Sequence, residues 1–157
     1  MGLAIPSDLK AVLAIANGAA AFAEGVFYPG AGFLPGGYRL LSVPEIVEQR
    51  QMNNQILSTT DEEMVGFWWH PQWLPVAQHV RADALVIDLR PGSNCGAVGE
   101  FAHDERTEFG RWGSSFAEFI ERTADSIENA VNFRDYCPLV VDGALDWDNS
   151  LEDEPSE

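Results

Sequence analysis

Two serine-led capping boxes, "SVPE" at 42–45 and "SFAE" at 115–118, bracket a strand-like block and set the most restrictive boundary in this chain. In each, a serine hydroxyl and a glutamate three residues on can satisfy the orphan N–H groups that open a helix. The spacing therefore predicts a helix from Ser42 to about Leu57, with Pro44 in a first turn that needs no N–H and Ile46, Val47, Arg50 and Gln51 continuing it. A second helix runs from Ser115 to about residue 132, with Phe116, Phe119, Ile120, Ala124, Ile127 and Val131 at helical spacing. An earlier helix is expected over residues 7–17, capped by Ser7, with Leu9, Val12, Leu13 and Ala16 on one face and Asn17-Gly18 as its stop.

Between the boxes the pattern changes period. "MVGFWW" (64–69), "LPVA" (74–77), "ALVIDLR" (84–90), "AVGEFAHD" (97–104) and "EFGRWG" (108–113) read as extended segments. In 84–90, Leu85, Ile87 and Leu89 point one way and Val86, Asp88 and Arg90 the other. Short extended pieces are also expected at 26–28 and 38–41, within a stretch (18–41) that holds six of the 14 glycines. Together these imply an α+β fold: an antiparallel-rich sheet with helices packed on one face and the other face wet.

The chain has 157 residues, enough for one domain that buries about 70% of its unfolded surface. Residues 1–135 are read as that domain and 136–157 as an acidic C-terminal extension. Segments 139–141 and 145–147 are expected to dock as a short strand or turn, and the last residues to be disordered. The extension carries seven acidic residues and no basic one, leaving 18 acids against 9 bases before it.

A net charge of −16, with one lysine among nine cations, disfavours nucleic acid and anionic membrane as partners and favours a basic protein. Two cysteines, Cys95 and Cys137, without CxxC spacing point to neither zinc nor a disulfide framework, and no cofactor is expected. The N-terminus lacks the pattern of a signal peptide and no apolar run approaches 18 residues, so the expected location is cytoplasmic. The oligomeric state stays open.

Three histidines are the candidate bases or ligands, but HxH and HExxH spacings are missing. His103, with Asp104 or Asp88, is the one arrangement that could serve a small hydrolase. "GSNCG" is not a nucleophile elbow, and "PGAGFLPGG" lacks the ending of a phosphate loop. The aromatic block 68–73 is more telling. If 64–69 is a strand, Trp68 and Trp69 face opposite sides, and Pro71 keeps His70 extended before a bend that ends at Trp73. Two of the three tryptophans are expected in the core, leaving one, with His70, for a partner. The candidate binding residues are Trp68, Trp69, His70, Trp73, Asp83 and Asp88.

The order of these cues is similar to the SUKH superfamily, in its Smi/Knr-type branch, related to the fungal cell-wall-assembly regulator. The resemblance rests on "FLPGGYRLLSVPEIV", "WWHPQWLPVA", "DALVIDLRPG" with "VGEFAHDE", and "SFAEFIERTADSIE", spanning about residues 5–131. Two positions depart from the pattern: Ala82 stands where a glycine is usual, and Arg90 where a second aspartate is often found. The resemblance implies an α+β fold and a non-enzymatic binding role. Many bacterial relatives resemble immunity proteins that neutralise toxin domains, and fungal ones are regulatory scaffolds. A basic toxin domain is the implied partner, and an intracellular regulatory module the alternative.

Overall fold

The computed structural model describes residues 2–20, 22–23, 26–27 and 31–149. Helix α1 (Ser7–Ile15) opens the chain, followed by two short paired strands, β1 (Phe22–Ala23) and β2 (Val26–Phe27). Then come β3 (Arg39–Leu40), α2 (Val43–Leu57), β4 (Trp73–Gln78), β5 (Ala84–Asp88), β6 (Val98–Phe101), β7 (Glu108–Gly113) and α3 (Phe116–Asn129). The described chain closes on β8 (Tyr136–Val141) and β9 (Ala144–Asn149). Strands β3 to β7 form one antiparallel sheet in sequence order, so the fold is α+β. Tyr28 and the final residues 150–157, about which sequence expectations were stated, lie outside the described residues.

The first capping box forms in full and the second in half. Ser42 N and Oγ donate to Glu45 Oε2 at 2.8 and 2.7 Å. Ser115 Oγ accepts from Glu118 N at 3.1 Å, while the Glu118 carboxylate turns one residue further back and takes Ser114 N at 2.7 Å. Ser7, by contrast, is the first helical residue of α1 rather than its cap, which is Pro6. Helix α1 and the residues just after it instead cap the other two helices. Asp8 Oδ2 accepts from Ala117 N at 2.8 Å, and Asn17 Oδ1 accepts from Val43 N at 2.9 Å. A carboxylate at the start of α3 also meets the positive end of that helix dipole.

The main core lies between the sheet and the helices. Leu9, Ile46, Phe116 and Phe119 from the helices meet Leu74, Val76, Leu85, Ile87, Val98 and Trp112 from the sheet. The opposite face of the sheet is not wet, contrary to the alternation argument. A second cluster of Leu57, Trp69, Trp73, Ala84, Val86 and Phe101 covers it, with Trp68, Met64 and Phe109 packed on its margin. All five residues of β5 are buried.

The stripe of α2 that turns inward also differs from the expected one. Ile46, Gln49, Asn53 and Leu57 are buried, while Val47 is 48% exposed. In α3 the buried positions are Phe116, Phe119, Thr123 and Ser126, and Ile127 and Val131 face outward. Hydroxyls are tolerated there because each donates to a main-chain carbonyl: Thr123 Oγ1 to Phe119 O one turn back at 2.8 Å, and Ser126 Oγ to Val131 O just past the helix. Ala130, in the left-handed region at φ 50°, ends α3 three residues before the expected limit.

Residues 64–69 are not a strand. A 3-10 turn over Glu62–Met64 leads to Gly66 at φ 78°, and the chain curls so that Met64 O accepts from Trp68 N at 2.9 Å. The two adjacent tryptophans therefore reach the same cluster instead of opposite faces.

The segment after α3 is built into the core. β8 and β9 form a hairpin closed by Asp142-Gly143, with φ 50° and 82°. Trp147 belongs to the main cluster, and its Nε1 donates to Phe33 O at 3.0 Å. The Tyr136 ring lies so close to Gly36 that a Cβ there would meet it at 3.0 Å. Trp147→Ala is expected to cost about 3–5 kcal/mol of unfolding free energy in urea titration, as for other buried tryptophans. A loss below about 1 kcal/mol would mean that the hairpin only rests on the domain.

Candidate functional site

Strands β4 and β5 set the positions of all six candidate residues, directly or through the turn that enters β4. Trp73 and Asp88 are cross-strand partners at one end of the pair. Trp69, Trp73 and Asp88 are 0%, 1% and 1% exposed, so they work from inside the fold and do not reach its surface. The rings of Trp69 and Trp73 meet edge-on at 5.8 Å, and Trp69 Nε1 donates to Asn54 Oδ1 of α2 at 2.8 Å.

Asp88 is held by Arg90. The guanidinium donates through Nε and Nη2 at 2.9 and 2.7 Å, and Arg90 N adds a third bond to Oδ1 at 2.9 Å. The same guanidinium lies 5.3 Å from the Trp73 ring centroid and 5.8 Å from that of Phe109. Its hydrogen bonds to Asp88 raise the Arg90 pKa further above an already high value. His70 sits beside this pair, 6.3 Å from Trp73, and its Nδ1 accepts from Gln72 N at 3.0 Å. Burial, and then the Arg90 charge, keep its pKa below 6.5, so the neutral ring is favoured.

The other end of the β4–β5 hairpin gathers the remaining polar groups. Tyr38, 2% exposed, donates to Glu100 Oε1 at 2.6 Å, and burial together with that carboxylate keeps its hydroxyl protonated. His79 stacks on Tyr38 at 5.5 Å, and burial lowers its pKa too. The turn passes through Ala82 at φ 71°, a geometry that costs a residue with a Cβ roughly 1–2 kcal/mol.

His103 Nδ1 lies 3.6 Å from Asp83 Oδ1. It does not meet Asp88, which stands five residues further along, roughly 16 Å at strand rise, and is already committed to Arg90. The His103–Asp88 arrangement considered for a hydrolase is therefore not formed. Asp104 is exposed beside His103. Among the described residues, no group of three or more His, Cys, Asp or Glu side chains could hold a metal ion. Cys95 and Cys137 are free thiols.

Trp68, His70 and Asp83 are the partly exposed candidates, and Trp68 is the one large aromatic among them. It packs edge-on against Phe101 at 5.5 Å, and its Nε1 donates to His103 O at 3.0 Å. That bond ties the 62–68 turn to the loop after β6. It places Trp68, Asp83 and His103 at one corner, with Phe67 (51% exposed) and Val65 (47% exposed) alongside. Asp61, Glu62 and Glu63, which lead into this turn, and Asp104 and Glu105, which follow His103, are exposed, as are Arg81 and Arg106 in the neighbouring loops. Phe67 was not singled out from the sequence. The glycine before it, which turns the chain and leaves Phe67 outside, was the available signal.

An α+β domain with a partly exposed aromatic corner, next in sequence to exposed acidic residues, is thus the class of molecule the structure defines. The family model described as the SMI1/KNR4 family (SUKH-1) matches residues 1–122, and the chain belongs to that family. The β8–β9 hairpin lies beyond the matched residues. A search of curated proteins returned no match.

Two expectations concern stability. Arg90→Ala strands a buried carboxylate, whereas Asp88→Ala leaves a guanidinium one-third exposed to water. Arg90→Ala is therefore expected to cost about 3 kcal/mol and Asp88→Ala distinctly less, in urea unfolding. Equal losses would contradict the asymmetry. The second concerns pH. His70 and His79 have folded pKa values below 6.5, so just under that pH the unfolded chain binds more protons than the native one. Stability should fall as pH drops through 6.5 and level off below the folded values. A His70→Gln/His79→Gln variant should lose that component, and unchanged pH curves would refute the assignment.

Proposed function

We propose that the chain is an immunity-type binding module that docks on a basic toxin domain in the cytoplasm and blocks it. The observation that carries this reading is the corner formed by Phe67, Trp68 and Val65, next in sequence to exposed acidic residues. A flat aromatic anchor supplies affinity when desolvated, and the exposed carboxylates steer a cationic partner and fix its orientation. His70 and Asp83 extend the contact. Trp69, Trp73 and Asp88 act from beneath by holding the turn and strand ends in place.

The charge distribution supports the same reading. Arg39 pairs with Glu45 at 2.8 Å, Arg50 donates to Pro71 O, and Arg90 holds Asp88. Arg122 donates to Trp112 O and lies over Phe133, and Arg134 lies over Trp112. Five of nine cations are thereby engaged in building the fold, while the exposed carboxylates next in sequence to the corner stay in water.

The test uses the purified chain as bait for the toxin domain encoded beside it, at low and moderate salt. A complex is expected that weakens as salt rises. Phe67→Ala should weaken it about tenfold or more, about 1.4 kcal/mol, without lowering the melting temperature. No complex at either salt, and no protection of cells making the toxin, would reject the reading. Capture solely of an endogenous protein in cells without such a toxin would favour a regulatory scaffold instead.

A further inference from the structure

A cavity of about 550 Å³ opens between α1 and α2, with Leu9, Leu13, Val43, Ile46, Val47 and Leu74 among its walls. Its size is that of a small-ligand pocket. Val43 and Val47, one helical turn apart on α2, are each 48% exposed, an apolar ridge that the fold leaves uncovered. The charge on its lining is the opposite of the rest of the molecule. Among the described residues no acidic side chain lines it, whereas Lys10, the one lysine, and Arg50 both do. Among the described residues no carboxylate pairs with either cation. Arg50 is oriented by donating Nε and Nη2 to Pro71 O at 3.2 and 2.7 Å, which leaves its charge unneutralised.

On a surface whose net charge of −16 repels anions, two uncompensated cations beside an apolar cavity form a local exception. From this geometry we propose that the cavity binds a single-chain amphiphile with an anionic head, of the fatty-acid carboxylate class. The tail lies along Leu9, Leu13 and the Val43–Val47 ridge over Leu74, and the carboxylate meets Lys10 and Arg50. Asn17 and Gln51, which also line the cavity, supply further hydrogen-bonding groups. The site is independent of the partner-binding corner, and the proposal does not rest on that reading.

The test is calorimetric titration of the full chain with dodecanoate, decanoate and decanol, each below its micelle-forming concentration. One dodecanoate per chain is expected. Decanoate should bind more weakly by about fourfold for each methylene removed, and decanol more weakly than decanoate. Lys10→Glu should weaken both carboxylates by about threefold to fivefold and leave decanol unchanged. Ala14→Trp, made at an exposed α1 position that lines the cavity, should abolish binding of all three while the circular dichroism spectrum is retained. The absence of saturable binding, equal affinity for decanoate and decanol, or undiminished binding by Ala14→Trp would each overturn the proposal. So would a concentration-dependent dimer in sedimentation that Ala14→Trp disperses and dodecanoate does not, since a second copy would then be the occupant.

Discussion

The two central strands, β4 and β5, have no solvent face, and this burial organises the rest of the molecule. Helices α1, α2 and α3 cover one side. The other side would expose Ala84, Val86 and Phe101 unless something were brought over it, and the 58–73 connection does this by carrying Trp69 and Trp73 across. A connection with that task cannot be a simple loop. It must place large rings at fixed points, which explains the 3-10 turn, the reversal at Gly66 and the anchoring of Pro71 O by Arg50. It must also end in a way that leaves no buried charge unpaired. Asp88, opposite Trp73, meets that requirement by taking three donors from Arg90, which in turn lies over the Trp73 and Phe109 rings.

Helix α1 plays a part out of proportion to its nine residues. It buries little beyond Leu9, but it and the residues just after it supply caps to both longer helices, through Asp8 and Asn17. These bonds connect residues 109 and 26 positions apart, so helix initiation in α2 and α3 is coupled to docking of the N-terminal segment. The same docking forms the α1–α2 cavity, one wall of which is α1 itself.

The parts of this fold legible in the sequence were those governed by local rules. Capping boxes located the starts of α2 and α3, and period-two alternation located β5 to β7. What escaped was decided by tertiary context. Gln49 and Asn53 are buried on α2, on the same stripe as Ile46 and Leu57, although nothing in their chemistry favours it. Thr123 and Ser126, not Ile127 and Val131, face the interior from α3, with their hydroxyls satisfied by Phe119 O and Val131 O. The hairpin of β8 and β9 was half visible. Asp142-Gly143 between two apolar runs is a type I′ signal, but the acidity of the tail concealed that Trp147 belongs to the core. In the candidate site, the tryptophans were found and their roles reassigned. Trp69 and Trp73 are interior, Trp68 reaches the surface, and Phe67 beside it follows from a glycine geometry that residue types alone do not specify.

Arg90 and Ala82 show how local departures from the family resemblance are absorbed. An aspartate at 90 would set two carboxylates at the end of β5, where Asp88 is already out of water. The arginine present instead neutralises Asp88 and fastens it to the aromatic layer. At Ala82 the left-handed geometry is retained without the glycine that would relax it, so the hairpin turn carries strain held in place by the bonds between His79 and both Ala82 and Asp83. That turn presents Asp83 to His103, and His103 O anchors Trp68. The strained turn, the exposed histidine and the surface tryptophan thus form one continuous chain of contacts.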